Sequence, residues 1–403
     1  MTHTDLKFSF QKIKNLYHLG MAVLALIWYG FPAKKIKIIG ITGTDGKTTT
    51  TSLIYHILRF AGKKASIIST VFAKIGDQKY DTGLHTTTPN PWLIQKLIKQ
   101  AVAAKDEYLV LEVTSHAIDQ FRTFGIGLEV GLITNITHEH LDYHVTLDNY
   151  LMAKVKLLLA SKLSLINKDC QSFDKISQIL KKHQKQYLTF GFKNKTDYSL
   201  NFEQIKSKMA DFNKSNFLAA YSVCRHLDIP EKVILDGFKT FIMPQGRLET
   251  VFCQGFRVIV DFAHTPNALV NVLSAVKKQY LRKPGHLIHV FGSAGERDFS
   301  KRPLMGQASS QYADKIILTE EDYRSEDLDK ICQQISQGIL TKKYSIIKNR
   351  YQAIETAIKM VKKNDVIILT GKGHEKSLCR GKKEFPWSEH GAVNKILKKY
   401  DYL

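Results

Sequence analysis

The chain has 403 residues, too many for one ordinary hydrophobic core, so two or three separately cored domains are expected. Hydrophobic residues at 44% and charged residues at 24% exclude a disordered or fibrous protein. The formal charge of +22, from 59 Lys plus Arg against 37 Asp plus Glu, suits a polyanion: a nucleic acid, an anionic membrane or a phosphorylated small molecule.

From the N-terminus, residues 6–30 read as an amphipathic helix that docks on the protein. The apolar stretch from Met21 to Tyr29 follows Lys12 and Lys14. This gives it something of a signal-peptide look, but it is too short to span a bilayer and no small-residue cleavage site follows. Peripheral membrane contact through this helix is the less favoured reading. Residues 36–41 form an apolar strand that ends in a Gly-rich turn, followed by a helical pattern through Leu53, Ile54, Ile57 and Leu58. Further strands are predicted at Tyr108–Val113, Val130–Asn135 and Ser164–Asn167 with helices between, which makes a mostly parallel sheet. The pattern restarts after Met243-Pro244-Gln245-Gly246. Beyond that turn, strands at Phe256–Val260, His286–Phe291, Lys315–Thr319 and Asp365–Thr370 imply a second, Rossmann-like α/β domain. The expected division is a helical segment at 1–35, a P-loop-type ATP-binding domain at 36–243 and a C-terminal domain at 244–403.

The five cysteines are scattered, with no CxxC pair, which favours a reducing cytoplasm over a disulfide framework or zinc ribbon. The basic residues are spread as Lys-rich faces without a basic tail or aromatic-interleaved module, so nucleic acid is not an expected partner.

The loop Gly43-Thr44-Asp45-Gly46-Lys47-Thr48 lies between a strand and a helix, where backbone N–H groups and the helix N-terminus cradle phosphates. Lys47 would neutralise the β and γ phosphates and Thr48 would place its hydroxyl on Mg²⁺. The spacing departs from the standard P-loop, since Gly40 is one residue too far upstream. Glu112, at a strand end, is placed to ligate Mg²⁺ through the nucleotide. The stretch from His138 to His144 packs three His and two carboxylates into seven residues. Its order is not that of zincins, and it reads equally as a metal site or a polar loop. Asp298-Phe299-Ser300-Lys301-Arg302-Pro303 makes a charged loop suited to an anionic substrate, and Gly371-Lys372-Gly373-His374-Glu375 mixes close-approach glycines with charge.

Taken in order, these motifs resemble the Mur ligases, and among them the tripeptide synthetases. The resemblance rests on the phosphate loop, Thr87-Thr88-Pro89, the segment from Glu112 to Arg122, the segment from Thr134 to His144 and Asp261-Phe262-Ala263-His264-Thr265-Pro266. It runs from about residue 36 to the C-terminus. It implies a cytoplasmic, monomeric, ATP- and Mg²⁺-dependent amide ligase of peptidoglycan synthesis. That enzyme would add the third amino acid, such as diaminopimelate or lysine, to UDP-N-acetylmuramoyl-L-alanyl-D-glutamate through an acyl phosphate. By the same resemblance Thr42, Gly43, Thr44, Asp45, Gly46, Lys47 and Thr48 hold the ATP phosphates, while Asn216, Arg247 and Asp261 contact the rest of the nucleotide. Thr48, Glu112, His140 and Lys154 serve the metal sites, with Lys154 at the position of a carbamylated lysine. Thr87, Thr88, Ser115, Gln120 and Arg122 meet the UDP-muramoyl peptide; Arg324, Arg350, Gly371 and Glu375 hold the incoming amino acid. Without the resemblance, Lys154 reads as a surface helix lysine.

Three departures stand out. Only residues 1–35 precede the ATPase domain, where the family carries a uridine-binding domain. The stretch from Gly191 to Phe212 is short. Glu321-Asp322-Tyr323-Arg324 stands where diaminopimelate-adding enzymes have Asp-Asn-Pro-Arg. A Mur-type ligase for another carboxylate, such as a lipid-linked muramoyl peptide or a polyglutamate-like polymer, is the alternative.

Overall fold

The computed structural model describes the chain except residues 1–2, 81–87, 138, 194, 206–209 and 341–343. It divides into two compact units, one of Met1–Ile136 with Thr146–Ile242, the other of Thr137–Val145 with Met243–Leu403.

In the first unit, among the described residues, the strands are β1 (Lys37–Thr42), β2 (Ala65–Ile68), β3 (Ala73–Ile75), β4 (Gln78–Tyr80), β5 (Tyr108–Glu112), β6 (Leu128–Ile133), β7 (Ser161–Asn167) and β8 (Tyr187–Phe190). They form one sheet in the order β4-β3-β2-β5-β1-β6-β7-β8. From β2 to β8 the pairs are parallel; β3 and β4 add antiparallel at one edge. The central strands are apolar without alternation because both faces are covered. Ile38, Leu109 and Leu111 pack with Ile94, Leu97 and Ile98 of the helix Pro91–Ala103. Ile39, Ile41, Val110 and Val130 pack on the other face with Leu53, Ile54 and Ile57 of the helix Lys47–Phe60. The register sets Ile41 of β1 beside Glu112 of β5 and Thr42 beside Ile133 of β6, so three adjacent parallel strands end together. In an open α/β sheet that rim is where ligands bind.

The N-terminal helix runs His3–Tyr29 and stops at Gly30, whose φ of 72° no helix continues. It docks on the first unit through Ala22, Ala25 and Leu26, all buried. Asn15 donates to Asp119 at 2.9 Å.

In the second unit, again among the described residues, the strands are β9 (Glu249–Gln254), β10 (Phe256–Val260), β11 (Leu287–Phe291), β12 (Lys315–Leu318), β13 (Tyr344–Ile346) and β14 (Val366–Leu369). Their order is β13-β12-β11-β14-β10-β9, parallel except for β9. A hairpin, β15 (Ser377–Arg380) with β16 (Lys383–Pro386), stands beside that sheet. Apolar runs such as Val366–Leu369 are again buried throughout, against Ala353, Ile354 and Ile358 of the helix Arg350–Lys359.

Candidate active site

The phosphate-type loop joins β1 to the helix Lys47–Phe60 and is held in shape from beneath by the end of β6. Asn135 accepts from the amides of Thr44 and Asp45, at 2.9 Å each, through its backbone and side-chain oxygens. Thr134 donates to the Asp45 carbonyl at 2.7 Å. The two glycines are required by space and backbone alike. Gly43 has φ 150° and a Cβ there would collide with the Thr134 hydroxyl; Gly46 has φ 83° and a Cβ there would collide with the Asn216 amide. The helix's first backbone bond runs from Thr50 N–H to the Gly46 carbonyl at 2.9 Å. The amides ahead of it have no acceptor within the helix and carry the positive end of its dipole. Lys47 donates to the Thr44 carbonyl at 2.7 Å, folding its ammonium back over the loop.

Glu112 is 1% exposed and lies under this loop. Its Oε1 accepts from the hydroxyls of Thr48 at 2.9 Å and Thr70 at 2.8 Å, and its Oε2 from the Thr70 amide at 2.9 Å. A carboxylate and a hydroxyl side by side offer hard oxygens of the kind Mg²⁺ selects, and leave its other positions to phosphate oxygens and water. The residues therefore fit a nucleotide-bound Mg²⁺. Among the described residues no group of three or more His, Cys, Asp or Glu side chains is placed to hold a metal by itself.

Lys154 does not sit on the surface. Its side chain is 1% exposed, its amine donates to the Gly43 carbonyl at 2.6 Å and lies 4.5 Å from the centre of the Tyr150 ring. The Tyr150 hydroxyl in turn meets the Thr44 hydroxyl at 3.1 Å. The helix Leu147–Leu159 thus feeds two side chains into the loop.

Around the same rim, Thr88 accepts from the Thr114 amide at 3.0 Å and its carbonyl accepts from Arg122 at 2.6 Å. Gln120 accepts twice from that guanidinium, at 3.1 and 2.7 Å. Ser115 is buried at the start of the short helix that Thr114 caps. Thr87 and His138 lie outside the described residues. Asn216 reaches the loop, as its closeness to Gly46 requires, and donates to Asn213 at 3.1 Å.

His140 belongs to the segment Thr137–Val145, which packs with the second unit. Its ring is 3.6 Å from Glu139, and Glu139 ion-pairs His264 at 3.1 Å with Lys301 at 4.0 Å. Burial would raise the Glu139 carboxyl, but His140, His264 and Lys301 outweigh it and hold the group well below the usual carboxylate range. Burial likewise lowers His264, and its Glu139 partner reverses the sign. Asp261 accepts from the amides of Leu248 and Ala263, 2.7 Å each, and burial raises its carboxyl. Arg247 stacks 4.6 Å over Phe262.

The residues assigned to the amino acid all lie in the second unit, Arg350 and Gly371 buried and Arg324 and Glu375 half-buried. Lys372 bonds Asp322 at 2.8 Å and Glu375 at 2.5 Å; burial lowers its amine, and these carboxylates overcome that and raise it. Gly371, at φ 102°, lies against the Glu321 carboxylate, where a Cβ would stand 2.7 Å from its oxygen. Burial first, then Asp322, raises the Glu321 carboxyl. Arg324 donates to the Gly295 carbonyl at 2.5 Å from a left-handed backbone. Arg350 is different. It is fully buried and its guanidinium is spent on Glu389 and on the carbonyls of Glu320 at 3.1 Å and Thr370 at 2.8 Å, which ties a helix start to β14.

The roles of Thr70, Asn135 and Tyr150, which support Glu112 and the loop, and the pairing of Glu139 with His264 emerge only from the fold. Asn135 and Glu139 lie within the segment from Thr134 to His144, whereas Thr70 and Tyr150 carry no signal beyond a polar residue at a turn and an aromatic on a helix.

Two mostly parallel α/β units, one with a glycine loop over a Thr–Glu pair, define a nucleotide-binding α/β protein. The Mur ligase middle domain matches residues 41–224, and the Mur ligase, glutamate ligase domain matches residues 246–373. The chain belongs to the Mur ligase family. It is 37% identical over 401 residues to UDP-N-acetylmuramoyl-L-alanyl-D-glutamate--2,6-diaminopimelate ligase 1 of Clostridium acetobutylicum, spanning 94% of this chain and 81% of that protein. It is 38% identical over 379 residues to the ligase of the same name from Parabacteroides distasonis, spanning 88% and 76%. Among solved structures, a UDP-N-acetylmuramoyl-L-alanyl-D-glutamate--2,6-diaminopimelate ligase superimposes with a TM-score of 0.59 at 26% identity, covering 91% of this chain and 79% of that one. E. coli FolC in complex with DHPP and ADP shares the fold, with a TM-score of 0.72 at 16% identity over 94% and 92%.

Proposed function

We propose that this chain is an ATP- and Mg²⁺-dependent amide ligase that adds the third amino acid to UDP-N-acetylmuramoyl-L-alanyl-D-glutamate. The observation that carries the reading is the Thr48–Glu112 pair beneath a glycine loop that admits no Cβ at either glycine, in a chain 37% identical to a ligase of that name. In this reading residues 36–243 bind ATP and residues 244–403 bind the amino acid, and the protein works as a cytoplasmic monomer.

A free carboxylate resists attack by an amine, so the substrate carboxylate takes the γ-phosphoryl group of ATP, giving an acyl phosphate and ADP. The amine then attacks the acyl carbon and phosphate leaves. Loop amides and Lys47 hold and neutralise the phosphates as the charge on them shifts. Thr48 and Glu112 would hold Mg²⁺, with His140 in support, and the ion when bound would supply Lewis-acid charge at the phosphoryl oxygens. Lys154, already under the loop, would carry a carbamate, formed when its amine adds to CO₂ and gives up a proton, which turns a buried cation into an anion. Thr87, Thr88, Ser115, Gln120 and Arg122 orient the muramoyl peptide; Asn216, Arg247 and Asp261 hold the nucleoside. Arg324, Gly371 and Glu375 receive the amino acid, with Arg350 fixing the helix and strand that present them.

The test is phosphate release from ATP with the muramoyl dipeptide, supplying meso-diaminopimelate, L-lysine or L-ornithine in turn. Release that needs both dipeptide and one amino acid, with the tripeptide seen by mass, is expected. ATP hydrolysis indifferent to every amino acid would point instead to a different carboxylate acceptor.

A further inference from the structure

The N-terminal helix is apolar on two sides, and only one of them is used. Ala22, Ala25 and Leu26 face the protein, and Leu26 fits against Gly125, where a Cβ would clash with it. On the other side Leu16, Tyr17, Leu24, Ile27 and Trp28 are exposed, with Trp28 at 74% and Leu16 at 70%, and Val23 and Phe31 extend the stripe. The spacing is that of one helix face, about 18 Å long from Leu16 to Trp28. A continuous apolar stripe of this kind marks an interaction site.

Charge says what kind. Between Leu6 and Thr44 the sequence holds six lysines (Lys7, Lys12, Lys14, Lys34, Lys35, Lys37) and no Asp, Glu or Arg. The helix Pro91–Ala103, which packs beside the N-terminal helix, adds Lys96 and Lys99 and no acid. Lys34 lies 5.3 Å over the exposed Phe31 ring, so an ammonium borders the C-terminal end of the apolar stripe, and Lys99 lies 5.9 Å over the half-buried Tyr29 on the docked side. A second copy of this chain would bring the same cations face to face. An anionic lipid surface would meet the lysines with phosphates while Trp28 and Tyr17 enter the headgroup layer they favour. Crossing the bilayer is not the mode: the helix is tied to the unit by its buried side, and among the described residues no helix is long and apolar enough to span.

We propose that the exposed face of the N-terminal helix from Leu16 to Trp28 is a docking face for an anionic phospholipid bilayer, on which this stretch lies flat. The face works independently of the ligase reading, and its failure would leave that reading standing. The test is co-sedimentation of the full chain with vesicles of phosphatidylcholine alone and of equimolar phosphatidylcholine and phosphatidylglycerol, at low and high salt. Binding to the anionic vesicles is expected to exceed binding to the neutral ones by at least about tenfold and to weaken with salt. L24D/I27D is expected to lose at least about tenfold in binding with a near-unchanged melting temperature, because both residues are more than half exposed. Absence of binding to anionic vesicles at low salt, or undiminished binding by the variant, overturns the proposal. So does a lipid-free dimer, seen by light scattering, that L24D/I27D abolishes, since the face then belongs to a second copy.

Discussion

The hydroxyl of Thr48 donates to Oε1 of Glu112 across 2.9 Å, linking the first turn of one helix to the end of the neighbouring parallel strand. The contact exists because β1 and β5 are adjacent and in a register that ends them together. Glu112 also receives two bonds from Thr70, so its orientation is fixed before any ligand arrives. Glu112→Gln keeps the shape and removes the charge. Phosphate release is expected to fall on the order of a hundredfold or more, with a higher Mg²⁺ requirement and a near-unchanged melting temperature. A variant that keeps wild-type turnover at every Mg²⁺ concentration would remove Glu112 from the metal site.

Gly46 presents a separate test of the loop. Its φ of 83° and the Asn216 amide both exclude a side chain. Gly46→Ala is expected to cost about 1–3 kcal/mol and to weaken ADP binding, followed by thermal unfolding and calorimetry. Adding Asn216→Ala removes the collision but not the backbone strain, so the double variant should regain stability in part. Full recovery would show that the left-handed backbone carries no cost; no recovery would show that the amide was never in the way.

Much of this fold is legible in the sequence for one physical reason. Runs such as Ile38-Ile39 and Val366–Leu369 are buried on both faces, so their apolarity needs no partner to be recognised. The strand Ala65–Ile68 and the edge strands β3 and β4 are short and owe their conformation to pairing, which no local pattern carries. The phosphate loop reads directly, because glycines at fixed spacing answer a backbone need. Lys154 does not: on a helix of mixed polarity it looks solvated, and only the approach of the Gly43 carbonyl makes it a buried site residue. The segment Thr137–Val145 packs with the second unit although the first unit's sequence surrounds it. Its Glu139–His264 pair joins two motifs far apart in the chain, so neither motif alone announces the other.

The proposed carbamate on Lys154 requires its amine to lose a proton and add to CO₂, which a cation beside it would favour by stabilising the anion. With ¹³C-bicarbonate, Mg²⁺ and ATP, the wild-type protein is expected to show a carbamate carbon signal that Lys154→Met lacks. Phosphate release should fall in CO₂-depleted buffer and return when bicarbonate is restored. A wild-type rate indifferent to bicarbonate, with no signal, would leave Lys154 as an amine that props the loop.

Away from the site, Arg302 anchors the second unit. It is fully buried and bonds Glu326 at 2.5 and 2.8 Å, Gln334 at 2.6 Å and the Ala294 carbonyl at 3.0 Å. The hydrogen bonds from Arg302 pull the Glu326 carboxyl below its usual 4.5. A depressed carboxylate contributes stability that is present above 4.5 and is lost as pH falls through the lowered folded value. Glu326→Gln should therefore cost about 2–3 kcal/mol at neutral pH, since it strips a buried guanidinium of its anion while the lost carboxylate was partly solvated. The gap between wild type and variant in urea unfolding should narrow on acidification below 4.5, because the wild type loses there what the variant never had. A gap constant across that range would mean that the pair's charge does not contribute and that the hydrogen bonds alone hold Arg302.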